Sequence, residues 1–420
     1  MSTIPPSEQS SLQNATPQQL MQATAFNHQE LFCMNAMVVN GEIHTADGFK
    51  WTHAGSDNES MIAFPVLSAD NADKELDKVM AYYLHHPPQG VGCWSLDPTQ
   101  PSDLGVKLLA RGFQPGWRPQ WMSRDLDKIN INPLLPGRLE IRADSNAPIH
   151  MIKQLPYASL SDSGVNQAIL NAFPERTQRF IALMDGQIIA QSNVLFSGGV
   201  AGIYNVGVVP SERNQGIGKA IVLATCQFAK ERGYHYAVLN ATGRRMYEKA
   251  GFNWMGNGWT WWLKTANLVA HPPTPAQIAI AEAIGTGNLS SLDDNADYSF
   301  LMTNGMTLMQ LAVHCHQPAS ADWLASHMIP YTVLDAWDLG WIDRATTLLK
   351  KDPAQVNQQY GEPATTLLHI AVDRNDIPLA QLALSANPDL QIRDYYYNST
   401  PLEWARHLHR TEIRQLIELH

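Results

Sequence analysis

The sequence predicts a mixed α/β (α+β) sheet protein made of two related halves, followed by an all-α array of helical repeats. Three observations carry that reading. Between residues 138 and 266, β-rich runs alternate with amphipathic helical ones. Residues 91–126 repeat part of the same order upstream. Toward the C-terminus a hexapeptide of the form Thr-Leu-Leu-His-Ile-Ala recurs with a period of about 33 residues, the mark of stacked helical units.

Taken in order, residues 1–17 are polar and rich in Pro, Ser and Gln, and are expected to be a flexible N-terminus. Residues 18–130 form the first half. Within it, VGCWSLDPTQPSDLGVKLLARGFQPGWRPQWMSRDL reads strand, helix, Gly-Phe, strand. Pro133 and Pro136 mark a lesser boundary before a new strand that starts near Leu139. RFIALMDGQIIAQSNVLF is two strands around Asp185 and Gly186, a hairpin signal because both turn positions need positive φ. AGIYNVGVV is a third strand. In GIGKAIVLATCQFAKERG, apolar Ile217, Ala220, Ile221, Ala224 and Phe228 fall at helical spacing, and Gly233 ends the helix. HYAVLN is another strand, RRMYEKAGF a short helix closed by Gly251, and GWTWWL a last strand. Alternation puts Trp259 and Trp261 on one face and Trp262 on the other; one of the three is a candidate wall for a ligand pocket. The prolines from His271 to Pro275 mark the main domain boundary, and residues 276–420 form the repeat array.

Composition narrows the function. The chain has 420 residues, 45% of them hydrophobic, enough for several buried cores. Its formal charge of −10 argues against nucleic-acid binding, which needs a Lys/Arg surplus. Residues 271–420 hold 17 acids against 8 bases, so the acidic face belongs there. No run of about 18 apolar residues and no secretory leader pattern is seen, so no membrane association and a cytoplasmic location are expected. Cys33, Cys93, Cys226 and Cys315 are scattered without CxxC spacing, and neither a metal site nor a disulfide framework is expected.

The stretch from Val208 to Ala220, VVPSERNQGIGKA, joins a strand to a long amphipathic helix. Gly216 and Gly218 let backbone N–H groups point inward at the positive end of the helix dipole, an anion site. Arg213 and Lys219 add charge on either side. It lacks the GKS or GKT of a P-loop, the third glycine of the dinucleotide fingerprint and that fingerprint's following acid.

What it resembles is the GNAT superfamily of acetyl-CoA-dependent N-acyltransferases. The residues that carry this are Arg213-Asn214-Gln215-Gly216-Ile217-Gly218 after a Val-Pro strand end, then Asn240, Tyr247, Gly251 and Phe252 in the family's order. The resemblance spans roughly residues 138–264 and implies a GNAT fold with acetyl-CoA as cosubstrate. It further implies that Val206, Gly207 and Val208 lie along the pantetheine arm where two strands splay. Gln215, Gly216, Ile217, Gly218 and Lys219 would hold the pyrophosphate, flanked by Arg213 and Asn214. Asn240 would hydrogen-bond the pantetheine, and Tyr247 would protonate the departing thiolate, a role suited to a phenol of pKa about 10. The family often keeps a carboxylate base on the central strand; here Asn205 stands in that place. Asp162, Glu175, Asp185 and a water chain through Tyr204 are the remaining base candidates.

Upstream, Leu108, Gly112 and Phe113 echo Tyr247, Gly251 and Phe252 without a phosphate loop. Residues 18–130 are thus expected to be a degenerate, sheet-completing GNAT-like half beside the catalytic half, 138–266. This tandem arrangement resembles bacterial acetyltransferases that inactivate amine-bearing antibiotics. The C-terminal hexapeptides from Thr307, Thr366 and Thr400, with a worn copy over Tyr331–Trp337, resemble the TPLHxA start of ankyrin repeats. Residues 387–394 are expected to supply a hairpin loop, and His369 to be structural. The resulting expectation is an acetyltransferase for the primary amine of a small molecule. Two readings stand beside it: a protein acetyltransferase whose repeats recruit a protein partner, and a non-catalytic acetyl-CoA-binding protein.

Overall fold

Thr16 opens the first helix with a reciprocal cap: its hydroxyl accepts from Gln19 N–H, and its own N–H donates to the Gln19 side chain. The computed structural model describes residues 11–129, 138–159, 164–241, 243–293 and 296–420. The chain divides into two compact units between Thr274 and Pro275, within the proline-rich stretch.

In the first unit the elements run α1 (Pro17–Val38), β1 (Glu42–Ala46), β2 (Phe49–His53), β3 (Glu59–Ala63), α2 (Ala72–His85), β4 (Gly90–Leu96), α3 (Leu104–Ala110), β5 (Gln114–Pro115), β6 (Gln120–Asp125) and β7 (Leu139–Ala143). They continue with α4 (Gln167–Ala172), β8 (Thr177–Met184), β9 (Gln187–Ser197), β10 (Val200–Val208), α5 (Ile217–Glu231), β11 (Tyr236–Asn240), α6 (Arg244–Lys249), β12 (Asn253–Leu263) and α7 (Thr265–Ala270). The hairpin turn at Asp185 and Gly186 has positive φ at both positions, 49° and 79°.

All twelve strands join one sheet, in the order β1-β2-β3-β4-β12-β6-β11-β10-β9-β8-β7, with β5 beside β12. The two halves are therefore not two sheets. Strand β6, from the first half, inserts between β11 and β12, pairing Asn240 with Trp121 on one side and Gly256 with Trp121 on the other. Strand β12 in turn reaches back, its end from Gly258 to Leu263 pairing with β4. The internal echo is also geometric: Phe113 N–H donates to Leu108 O at 3.1 Å, and Phe252 N–H to Tyr247 O at 3.0 Å. Gly112 and Gly251 end their helices at φ 94° and 81°, which a side chain would resist.

Side chains of β10 show which helix covers which face. Ile203 belongs to the core beneath α5, together with Ile217, Ala220 and Ile221, while Tyr204 packs under α1. Helix α1 buries Leu20, Ala23, Asn27, Leu31 and Met34, a helical stripe. Asn27 bridges to the sheet, donating to Leu195 O and Ser197 O. Of the stretch expected to be flexible, residues 1–10 lie outside the described residues. The following residues are tied down: Leu12 N–H donates to Gly199 O, and Ala15 N–H to the Tyr236 hydroxyl.

The second unit is helical: α8 (Pro275–Thr286), α9 (Leu308–His314), α10 (Pro318–Ser326), α11 (Val333–Asp338), α12 (Ile342–Lys351), α13 (Leu367–Arg374), α14 (Ile377–Ser385), α15 (Pro401–His407) and α16 (Thr411–Leu419). Thr307, Thr332, Thr366 and Thr400 each cap a helix through a capping box. At Thr366 the box partner is His369, whose Nδ1 accepts from Thr366 N–H while Nε2 faces Ser399 O at 3.0 Å. His369 is thus a structural group held neutral, its pKa lowered by burial. Residues 387–394 form a loop without strands, and the turn that follows is built on Asp394, which accepts from Tyr397 N–H and Ser399 N–H. Among the described residues, no helix is long and apolar enough to cross a membrane.

Candidate active site

Strands β10 and β11 run parallel and pair only from Ala201 with Ala237 to Ile203 with Leu239. Beyond Ile203 they part. On the other edge of β10 the register with β9 shifts between Tyr204 and Gly207, and Asn205 sits in this bulge at φ 49°, a conformation Asn tolerates better than most residues. Val206, Gly207 and Val208 therefore continue β10 along a cleft that β11 no longer closes.

The loop 209–216 leads from this cleft into α5. Asn214 and Gly216 take positive φ, 64° and 84°. The first intrahelical bond is Ala220 N–H to Gly216 O, so the N–H groups of Ile217, Gly218 and Lys219 precede the helical ladder. A Cβ on Gly218 would meet Val208 at 3.6 Å and Met246 at 3.9 Å, ordinary van der Waals contact without a clash. Arg213 Nε donates to Val208 O at 3.2 Å, and Gln215 Nε2 to Glu212 at 3.0 Å, bracing the loop. Arg213, Asn214, Gln215 and Lys219 are all exposed.

Asn240, the last residue of β11, carries a side-chain Oδ1 that is buried with no hydrogen-bond partner among the described residues. Tyr247, on α6, is nearly buried and meets Phe252 edge-on at 6.0 Å. Burial, and then the proximity of Tyr157, push its hydroxyl pKa well above the usual phenol value.

Residues 149–252 match the family model described as Acetyltransferase (GNAT) family. This region is a GNAT acetyltransferase domain, and through it the chain is an acyltransferase. The match covers about a quarter of the chain and takes in every candidate residue from Val206 to Tyr247. Among solved structures, the chain is similar to a GCN5-related N-acetyltransferase from Kribbella flavida, at 17% identity and TM-score 0.45 over 57% of this chain and 95% of that one. It is also similar to a tandem GNAT protein from the clavulanic acid biosynthesis pathway, at 11% identity and TM-score 0.42 over 61% and 97% of the two chains. No curated protein sequence matches.

Among the described residues, neither of the two carboxylates considered as bases, Glu175 and Asp185, is at the cleft. Glu175 is exposed in a turn, its carbonyl accepting from Arg232, and Asp185 pairs with Arg138 at the hairpin. Asp162 lies outside the described residues. Asn205 is engaged as a clamp, its Oδ1 accepting from Val165 N–H at 2.9 Å and so holding the segment after Gly164. Tyr204 is not open to a water chain at its hydroxyl, which donates to buried Asn27 Oδ1 at 2.7 Å. Three features could not be read from the sequence. Gln191 Nε2 donates to Pro156 O and Tyr157 O, fixing a crossing segment over Gly207. A Cβ on Gly207 would lie 2.7 Å from Pro156 O, so this position accepts only glycine. The same segment, with His150, Lys153 and Tyr157, lines a cleft of about 520 Å³. Trp259 and Trp261 stack together, with Arg118 over Trp259, whereas Trp262 packs toward the aromatic cluster under α1.

Proposed function

We propose that this chain transfers an acetyl group from acetyl-CoA to a primary amine of a small molecule. The observation that carries this is Asn240 Oδ1, a buried acceptor without a partner among the described residues, at the end of the strand that parts from β10. An unpaired buried acceptor costs about 1–3 kcal/mol, and an amide N–H of a pantetheine arm would offset it. The donor set fits the rest of the molecule. Ile217, Gly218 and Lys219 N–H groups at a helix N-terminus suit a pyrophosphate, with Gln215 and Gly216 beside them. Arg213, Asn214 and Lys219, all exposed, flank it. Val206, Gly207 and Val208 offer strand backbone to the arm.

Bound acetyl-CoA would supply the acyl group as a thioester. The amine nitrogen forms the new C–N bond as the C–S bond breaks. Tyr247 gives its hydroxyl proton to the departing sulfur. Burial keeps that proton in place until sulfur needs it. With no carboxylate at Asn205, the amine's own proton passes to solvent, and solvent returns a proton to the Tyr247 oxygen, which closes the cycle.

The missing carboxylate favours one second reading, a protein that binds acetyl-CoA without turning it over. Free-CoA release should be followed with a panel of small amines, lysine peptides and amine-bearing antibiotics. Tyr247→Phe should lower turnover by about 100-fold or more with acetyl-CoA affinity unchanged. Acetyl-CoA binding with no acceptor-stimulated release would leave only the binding reading. We further read residues 18–130 as a degenerate GNAT-like half and the second unit as ankyrin repeats. The capping boxes at Thr332, Thr366 and Thr400, spaced 34 residues apart, support the latter. Such an array would present a surface for a protein partner, and acetylation of a bound protein rather than a small amine would appear as turnover lost on deleting residues 276–420.

A further inference from the structure

Gln191 is more polar than its place in the fold requires. It is fully buried on β9, directly across from Gly207 of β10, and the segment around Pro156 crosses over both. Its Nε2 donates to Pro156 O and Tyr157 O, each at 2.7 Å. Those two carbonyls fix which way the amide points, because turning it over would set oxygen against oxygen. Oε1 is thereby left buried with no hydrogen-bond partner among the described residues. An apolar side chain would fill the same place without that orphan, and folded proteins leave few buried polar atoms unpaired.

The segment that Gln191 grips is itself strained. Pro156 and Tyr157 form a turn, and Tyr157 stands at φ 59°. After a proline in such a turn, positive φ is normally left to glycine or asparagine, which adopt it with little strain. A tyrosine persists there only when its surroundings hold it, and strained residues of this kind gather at functional sites. Here the Tyr157 carbonyl is held by Gln191. The neighbours Leu155 and Ala158 are held by burial in the core cluster that also contains Tyr247, with Val206 and Val208 packed against it. Tyr157 itself is 48% exposed and lines the cleft of about 520 Å³.

We propose that Gln191 is a positioning residue for the acetyl transfer: its two hydrogen bonds hold Tyr157 in the left-handed conformation, which sets the Tyr157 ring as a fixed wall of the cleft near Tyr247. The inference rests on the acetyltransferase reading above, in which Tyr247 protonates the departing sulfur. Gln191, fully buried, acts through Tyr157. With both bonds in place the wall is formed before the amine arrives. Without them Tyr157 relaxes to negative φ, its ring moves and the reacting groups lose their alignment, a misplacement that lowers turnover more than binding. The loop 209–216 and the N-terminus of α5 are untouched, so acetyl-CoA should bind as before.

The test is a double-mutant cycle on kcat. Free-CoA release is followed with hydroxylamine, a small amine that needs little deprotonation near neutral pH, and with the amine panel above, while calorimetry reads acetyl-CoA binding. Gln191→Met keeps length and bulk and removes both hydrogen bonds. It should lower kcat about tenfold with acetyl-CoA affinity within about twofold. Tyr157→Gly, at an exposed site, removes the ring and the strain together, and should lower kcat by about the same factor. Because one residue works through the other, the pair together should lose about tenfold and not about a hundredfold. Gln191→Glu should give partial rescue. Its carboxylate cannot donate, whereas the protonated acid restores one of the two bonds, so its kcat relative to wild type should rise as pH falls from about 8 to about 6. Additive losses in the double variant, or a Gln191→Met that lowers Tm with kcat unchanged, would overturn the positioning role. If acetyl-CoA binding and the Tyr247→Phe defect persist in that case, the acetyltransferase reading stands. A wild type that binds acetyl-CoA yet releases no CoA with any of these amines would overturn both.

Discussion

Acid should destabilise the first unit through His28, by an amount that the structure sets. The imidazole is buried on all sides, and this burial pushes its pKa from 6.5 down to about 3, opposed by a hydrogen bond with the Thr24 backbone. The folded state thus refuses a proton that the unfolded chain accepts near pH 6.5, so the unfolded state binds more protons throughout pH 3 to 6.5 and stability falls as pH drops through that window. Between about pH 7 and about pH 5 this difference amounts to about 2 kcal/mol, or a fall in Tm of several degrees for a unit of this size. Denaturant melts of the wild type and His28→Gln at both pH values would isolate the contribution, because every other titrating group is common to both. The wild type should lose about 2 kcal/mol more than the variant. Equal losses, or a His28 ring resonance that titrates above about pH 5 in the folded protein, would mean that the surrounding rings of Phe32, Phe64, Trp94, Trp121 and Tyr204 do not hold the imidazole neutral.

Gly218→Ala should leave folding unharmed or improve it by about 0.5–1 kcal/mol, since space exists for the methyl group and alanine favours the helix, yet weaken acetyl-CoA binding at least about tenfold, as paired thermal melts and calorimetry would show. Asn240→Ala removes an acceptor that has no partner among the described residues. Its expected signature is stability maintained or raised, by up to about 1–3 kcal/mol, with acetyl-CoA affinity reduced about five- to tenfold by titration. Thr366→Ala removes the hydroxyl that caps α13 and should cost about 1–2 kcal/mol in chemical denaturation of the second unit, with no effect on small-amine turnover.

The loop from Val208 to Ala220 is legible in the sequence because everything it does is local. Positive φ at Gly216, three N–H groups ahead of the helical ladder and the placement between strand and helix all follow from neighbouring residues. The same holds for Asn240 and Tyr247, fixed by short offsets from strand and helix ends, and for the threonine caps of the second unit. Asn205 shows the limit of such reading. Its place on the strand follows from the local pattern, but whether it faces the cleft or clamps Val165 depends on a segment 40 residues away.

Which stretches are strands and helices, where the anion-binding turn lies and that one motif occurs twice are all written in the amino-acid order, since hydrophobic period, glycine φ and capping act over a few residues. The folded chain was needed to show that the two copies share a single sheet, with β6 lodged between β11 and β12. It was needed again to bring His28, Trp94, Trp121 and Tyr204, far apart along the sequence, into one packed aromatic cluster. Strand insertion and ring packing are settled by which surfaces exclude water together, and that is a property of the folded chain rather than of any window along it.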